Sequence, residues 1–72
     1  MLEWRPVQSE RIAFAAFDPE QQVIFVQFPN GKRWWYGNCT ADMWAEFMGP
    51  STSKGRYIKD TLDNHPNGRY DG

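Results

Sequence analysis

The stretch Val23-Ile24-Phe25-Val26-Gln27-Phe28-Pro29-Asn30-Gly31-Lys32-Arg33-Trp34-Trp35-Tyr36 decides how this chain folds. Its first six residues are β-branched or aromatic around a single glutamine, which reads as a strand, and Pro29-Asn30-Gly31 ends it. Asn30-Gly31 supplies the pair of positive-φ residues that a tight hairpin uses, and Lys32 to Tyr36 resume as a second strand before Gly37-Asn38. Side chains alternate across a strand, so Ile24, Val26 and Phe28 share one face. Trp34 and Tyr36 share one face of the next strand, with Arg33 and Trp35 on the other. Upstream, Ile12-Ala13-Phe14-Ala15-Ala16-Phe17 is short and apolar and stops at Asp18-Pro19, giving a third antiparallel strand.

A sheet with one apolar face needs a cover, and the chain downstream supplies helical patterns. Thr40 stands at an N-cap with Asp42 in the first turn. Met43, Trp44, Phe47 and Met48 then fall on one side, and Gly49-Pro50 stops the helix. A second helix is expected to start at Ser51-Thr52-Ser53, with Tyr57, Ile58, Thr61 and Leu62 on its inner side, and to end before Asn64-His65-Pro66-Asn67-Gly68. The expected class is α+β: a three-stranded antiparallel β-meander followed by two short helices packed on one sheet face. Residues 1–72 form a single domain, with 1–5 as an N-terminal arm bearing Trp4 and 66–72 as a polar tail.

The chain has 72 residues, so it buries only about 60 % of its unfolded surface and has no room for a large cleft. Aromatic residues make up 17 %, a share that lets a small core gain area from large rings. The single cysteine, Cys39, excludes an internal disulfide framework and a multi-cysteine metal site. With neither a basic-then-apolar leader nor a run of about 18 apolar residues, a cytoplasmic location is expected. The net charge is −1 but unevenly spread. Residues 32–59 carry Lys32, Arg33, Lys54, Arg56 and Lys59 against Asp42 and Glu46, while both flanks are acidic. If the fold brings 32–33 near 54–59, a basic patch forms on a slightly acidic body.

Two groups of residues are candidates for binding. Ser51, Ser53, Lys54, Gly55, Arg56 and Lys59 gather at the start of the second helix, where hydroxyls, backbone N–H groups and cationic side chains suit a phosphate, with Arg33 as a further phosphate contact. Trp35 and Tyr36 beside Arg33 have the make-up of a platform on which bases stack. Each has a plainer explanation: Ser51 or Ser53 as a helix cap, Gly55 as a close contact with Trp44 or Tyr36, and the rings as core. Cys39 and His65 lack the orienting partners of a nucleophilic dyad, and His65 with Asp60 or Asp63 lacks the ligands of a metal site. No catalysis, metal or cofactor is expected.

Four segments, Ser9-Glu10-Arg11-Ile12, Trp34-Trp35-Tyr36, Met43-Trp44-Ala45-Glu46-Phe47 and above all Ser53-Lys54-Gly55-Arg56-Tyr57, resemble those of the KTSC domain family. This module occurs at the C-terminus of some lysyl-tRNA synthetases and alone in bacterial and phage proteins. The similarity runs from Pro6 to Tyr70. Trp34 stands where members usually carry Tyr, and Gly37-Asn38-Cys39-Thr40 replaces an aromatic, Gly, apolar, Pro pattern. The resemblance implies no particular activity, and attachment to a synthetase is what suggests RNA. Two readings follow. One is a non-catalytic binding module for a phosphorylated ligand, RNA or a nucleotide, which in a phage would sequester nucleotides. The other is a protein–protein interaction module or phage-borne inhibitor that works through the open sheet face or a strand edge, with a homo-oligomer as one outcome.

Overall fold

The computed structural model describes residues 2–71. Five strands form one antiparallel sheet whose spatial order follows the chain: β1 (Arg5–Pro6), β2 (Phe14–Asp18), β3 (Val23–Gln27), β4 (Arg33–Tyr36) and β5 (Asn67–Arg69). Between β4 and β5 the chain forms α1 (Ala41–Phe47), α2 (Lys54–Asp60) and a single 3-10 turn at Leu62–Asn64. The expected three-stranded meander is therefore the centre of a wider sheet. The arm supplies β1 and the expected polar tail supplies β5. Met1 and Gly72, the outermost residues of that arm and tail, lie outside the described residues.

The β3–β4 connection departs from a two-residue hairpin for a local reason. Pro29 fixes its own φ near −65°, which suits the first corner of an ordinary turn and not the mirror-image one. Of the Asn30-Gly31 pair only Gly31 has positive φ, at 89°. Its N–H donates to the Phe28 carbonyl at 2.9 Å, and the Phe28 N–H donates to the Lys32 carbonyl at 2.8 Å, so a three-residue loop closes the hairpin.

Register follows the alternation expected from the sequence. Ile24 faces Tyr36 and Val26 faces Trp34 across β3 and β4, while Ala15 faces Val26 and Phe17 faces Ile24 across β2 and β3. This face lies under the helices. Ile24, Val26, Phe47 and Leu62 are fully buried there with Ile12 and Cys39, each apolar side chain worth roughly 1.5–3 kcal/mol. Trp44 and Ile58, expected as core, pack at its margin and stay partly exposed. Trp44 stacks on Phe17 with ring centroids 5.6 Å apart and planes 12° from parallel.

The second face, expected to be open, is covered by the two chain ends. Trp4 lies 6.3 Å from the Phe25 ring and Tyr70 lies 4.6 Å from it, leaving Phe25 only 7 % exposed. Phe14, on the same face, stays 38 % exposed, so the chain ends cover this face in part.

α1 begins as its sequence indicates, with Thr40 Oγ1 accepting from the Met43 N–H at 3.2 Å. α2 begins differently. Ser53 occupies the N-cap position, yet its hydroxyl makes no capping hydrogen bond, and the first turn carries no acidic residue.

Candidate anion-binding site

Gly55 is where two distant segments of the chain meet. A Cβ built on it would stand 2.8 Å from Arg11 Cγ and 3.3 Å from Arg11 Nε, so the Arg11 side chain lies directly across α2 in space that only glycine leaves free. This replaces the expected contact of Gly55 with Trp44 or Tyr36. Ser9 Oγ accepts from the Arg11 N–H at 3.1 Å, and the Val7 N–H donates to the Ala13 carbonyl at 2.9 Å, which fixes the backbone from which Arg11 reaches out.

Arg11, Arg56 and Lys59, with Ser53, Gly55 and Asp60, line one shallow surface depression. Arg56 and Lys59 are three apart on α2 and share a helix face. All three cations are exposed, and none has an ion-pair partner among the described residues, where Arg69 and Asp71 form the only salt bridge, at 3.2 Å. Like charges at a solvated surface repel one another only weakly, so the fold tolerates the arrangement. What it offers is three guanidinium or ammonium groups and one uncommitted hydroxyl, Ser53, converging on an accessible hollow. Such a set binds phosphate or carboxylate by charge-assisted hydrogen bonds.

The other expected site residues are placed elsewhere. Lys54 Nζ donates to the Gly49 carbonyl at 2.8 Å and the Thr52 carbonyl at 3.1 Å and sits 6.0 Å from the Phe47 ring centre. It ties down the α1–α2 connection, does not line the depression, and has its basicity lowered by burial. Ser51 is exposed in that connection and also lies outside the depression.

Arg33 is on the opposite sheet face, its Nε donating to Gln27 Oε1 at 2.8 Å and its guanidinium 4.5 Å from the Trp4 ring centre. It lines a separate hollow with Asn30, Lys32, Arg69 and Tyr70, so the basic patch expected from 32–33 and 54–59 is divided between two places.

The expected stacking platform does not form. Tyr36 is 2 % exposed beneath the helices, and burial followed by the charge of Asp63 pushes its hydroxyl pKa up to about 12. Its ring presents no face to a ligand. Trp35 lies half-buried on the second face with its indole against β5, where a Cβ on Gly68 would meet Trp35 Nε1 at 2.9 Å.

Cys39 and His65 come to the same atom. Cys39 Sγ lies 3.4 Å, and His65 Nδ1 2.9 Å, from the Gly37 carbonyl oxygen. A carbonyl only accepts, so both groups face it as donors, and His65 Nδ1 carries its proton there. Burial pushes the Cys39 thiol up, away from thiolate formation. Neither group activates the other, and Cys39 is fully buried.

Arg11 is the site residue that reading the sequence as a set of local signals does not pick out. It lies inside the Ser9-Glu10-Arg11-Ile12 segment, which was a signal of family and not of site. The fold and this surface define a small α+β domain with an antiparallel sheet covered on one face by two short helices. The chain belongs to the KTSC domain family, whose model matches residues 8–65. It is similar to the crystal structure of a KTSC domain protein from Yersinia pestis, with a TM-score of 0.86 and 22 % identity over 97 % of this chain and 99 % of that one. At this identity the likeness speaks for the fold alone. No curated protein matches the sequence, and no helix among the described residues is long and apolar enough to cross a membrane.

Proposed function

We propose that this domain is a non-catalytic binding module for a phosphorylated ligand, RNA or a nucleotide, held by Arg11, Arg56 and Lys59 with help from the Ser53 hydroxyl. The observation that carries the reading is the convergence of three cations from two separate segments on one hollow, without a counter-charge paired to any of them. The three cations outnumber the one carboxylate on that surface, Asp60, and phosphate supplies balancing charge with oxygens for several donors at once. The shallow form of the hollow suits a ligand bound by charge at the surface rather than one enclosed in a cleft.

The test is a salt titration of binding to a short single-stranded oligoribonucleotide. With three phosphate contacts, log K should fall against log salt with a slope of about −2, at roughly 0.7 per contact. An Arg11→Gln/Arg56→Gln/Lys59→Gln variant should lose both the affinity and the slope while keeping its circular dichroism. Equal binding by parent and variant, or none by either at low salt, refutes the reading.

A further inference from the structure

One acidic residue stands among the three cations. Asp60 ends α2 and lines the cationic hollow of about 530 Å³. It also lines an adjoining one of about 220 Å³ bordered by Thr52, Tyr57 and Thr61, and Ser53 and Arg56 border both. Its carboxylate makes no ion pair and accepts no hydrogen bond among the described residues. Only its backbone carbonyl is used, by Asn64 Nδ2 at 3.1 Å. For the helix its charge is partly offset by Arg56 one turn earlier, but for a bound phosphate the position is unfavourable. A carboxylate in the last turn faces the partial negative charge of the helix end, and beside a phosphate it repels the ligand.

A carboxylate that repels a bare phosphate is compatible with the site if the ligand also brings a hydrogen-bond donor to it. A carboxylate is an acceptor only, with room for several donors. Arg56 and Asp60 are four apart on α2, hence neighbours on one face, and both line the two adjoining hollows.

We infer that the paired hollows read a ribose phosphate unit, with the phosphate on Arg11, Arg56 and Lys59 and the 2′-hydroxyl donating to the Asp60 carboxylate. The inference rests on the phosphate reading above and adds to it a preference for ribose over deoxyribose. The 2′-hydroxyl is the group by which a protein tells RNA from DNA at one site. The Tyr57 hydroxyl proton is committed to Glu46 Oε1 at 2.9 Å, so Tyr57 has no proton to give the ribose and is the weaker, neutral acceptor beside the Asp60 carboxylate.

The experiment compares the full chain with its Asp60→Ala variant by fluorescence anisotropy at low salt. The probes are an oligoribonucleotide and the oligodeoxyribonucleotide of matching sequence, with AMP and dAMP as competitors. Alanine at this exposed helix position removes the unfavourable end charge, so the variant folds.

The parent should bind the ribo-oligomer about tenfold more tightly than the deoxy-oligomer, the scale of one hydrogen bond to a charged group. In Asp60→Ala the ratio should fall to near one, chiefly because binding of the deoxy-oligomer improves. Competition by AMP over dAMP with the same preference identifies a free ribonucleotide as the source of the ribose phosphate. A preference confined to the oligomers identifies a strand, and either result supports the inference. A parent ratio within twofold, or a preference that survives in Asp60→Ala, overturns it. If both oligomers bind equally and an Arg56→Gln/Lys59→Gln variant loses both, the ribose inference alone fails. Absence of binding to every probe overturns the phosphate reading and the inference with it.

Discussion

Replacing Gly55 by alanine separates stability from binding, because the two respond in opposite directions. Gly55 lies inside α2, where alanine is favoured over glycine by about 0.5–1 kcal/mol through the lower entropy of the unfolded chain and better helix propensity. Against this, the new Cβ would stand 2.8 Å from Arg11 Cγ, too close to coexist. The atom that must yield stands near the root of an exposed side chain, so Arg11 has to turn about its first side-chain bond to leave the helix, which offsets part of the gain. The net change is stability equal to or above the parent, a rise of about 4–8 °C in Tm if the full 1 kcal/mol is realised in a domain of this size.

Binding should move the other way. Arg11 leaves the hollow and with it goes one charge-assisted contact, about 1 kcal/mol after allowing for solvent, or roughly a fivefold loss for a short oligoribonucleotide. Thermal unfolding by circular dichroism and binding by anisotropy read the two effects. Adding Arg11→Ala to Gly55→Ala should weaken binding no further, because the second change removes a group already displaced. A fall in Tm of more than a few degrees would refute the reasoning by making the Arg11–Gly55 contact a structural one. Unchanged affinity would remove Arg11 from the site.

Gly68→Ala places a Cβ 2.9 Å from the indole nitrogen of Trp35, a rigid ring held by the sheet, and should destabilise by about 1–3 kcal/mol in urea unfolding. A midpoint equal to the parent's would mean that the indole slides freely. Lys54→Met removes the two hydrogen bonds that tie the ammonium to the Gly49 and Thr52 carbonyls and should cost about 1–3 kcal/mol while leaving the salt slope of binding unchanged; a changed slope with unchanged stability would return Lys54 to the binding surface. Phe47→Ala, at a fully buried position, should cost roughly 3–5 kcal/mol and unfold the domain at ordinary temperature, and Trp44→Ala should cost less because its ring is partly exposed; the reverse order in Tm would misplace the core. For alkaline stability, burial first and then hydrogen bonding to Glu46 push Tyr57 up to about 12, as burial pushes Tyr36. A hydroxyl pKa raised by folding gives stability that is complete below the unfolded value of 10 and is lost as pH climbs towards 12, so urea midpoints should hold to about pH 10 and then drop, less steeply in Tyr57→Phe.

The centre of the fold was legible because it is written at short range. Period-two alternation along Val23–Gln27 and Arg33–Tyr36 assigns Ile24, Val26, Trp34 and Tyr36 to one face whatever the rest of the chain does, and the structure pairs them accordingly. Thr40 as a cap needs only the residues that follow it. The edges were not legible. Asn67-Gly68-Arg69 has the composition of a turn, and it becomes β5 because the Trp35 indole fills the space left by the missing Gly68 side chain, with Trp34 Nε1 donating to Asn67 Oδ1 at 3.0 Å. β1 contains a proline, which a strand tolerates at a sheet edge and a periodicity argument discounts. At the site, Arg56, Lys59 and Ser53 could be chosen from helix-start chemistry. Lys54 was chosen on the same grounds and is spent on backbone carbonyls, a role fixed by where Gly49 and Thr52 come to lie.

The two glycines that receive side chains from elsewhere in the chain make contacts of different worth to the fold. Gly68 receives an indole that is half-buried against the sheet, and the contact packs an edge strand in place. Gly55 receives a guanidinium that is exposed and can move, and the contact adds a charge to a surface hollow. The geometry is the same, and the difference lies in what the arriving group loses when it is displaced. An indole lifted from the sheet exposes apolar area and weakens the fold, whereas a guanidinium swung into water is solvated as well as before. Stability alone therefore favours glycine at 68 but not at 55, since alanine at the latter is the better helix residue. A glycine inside a helix, where alanine is the better helix residue, is accounted for by the arginine it admits, and on the proposed function that arginine is a phosphate contact.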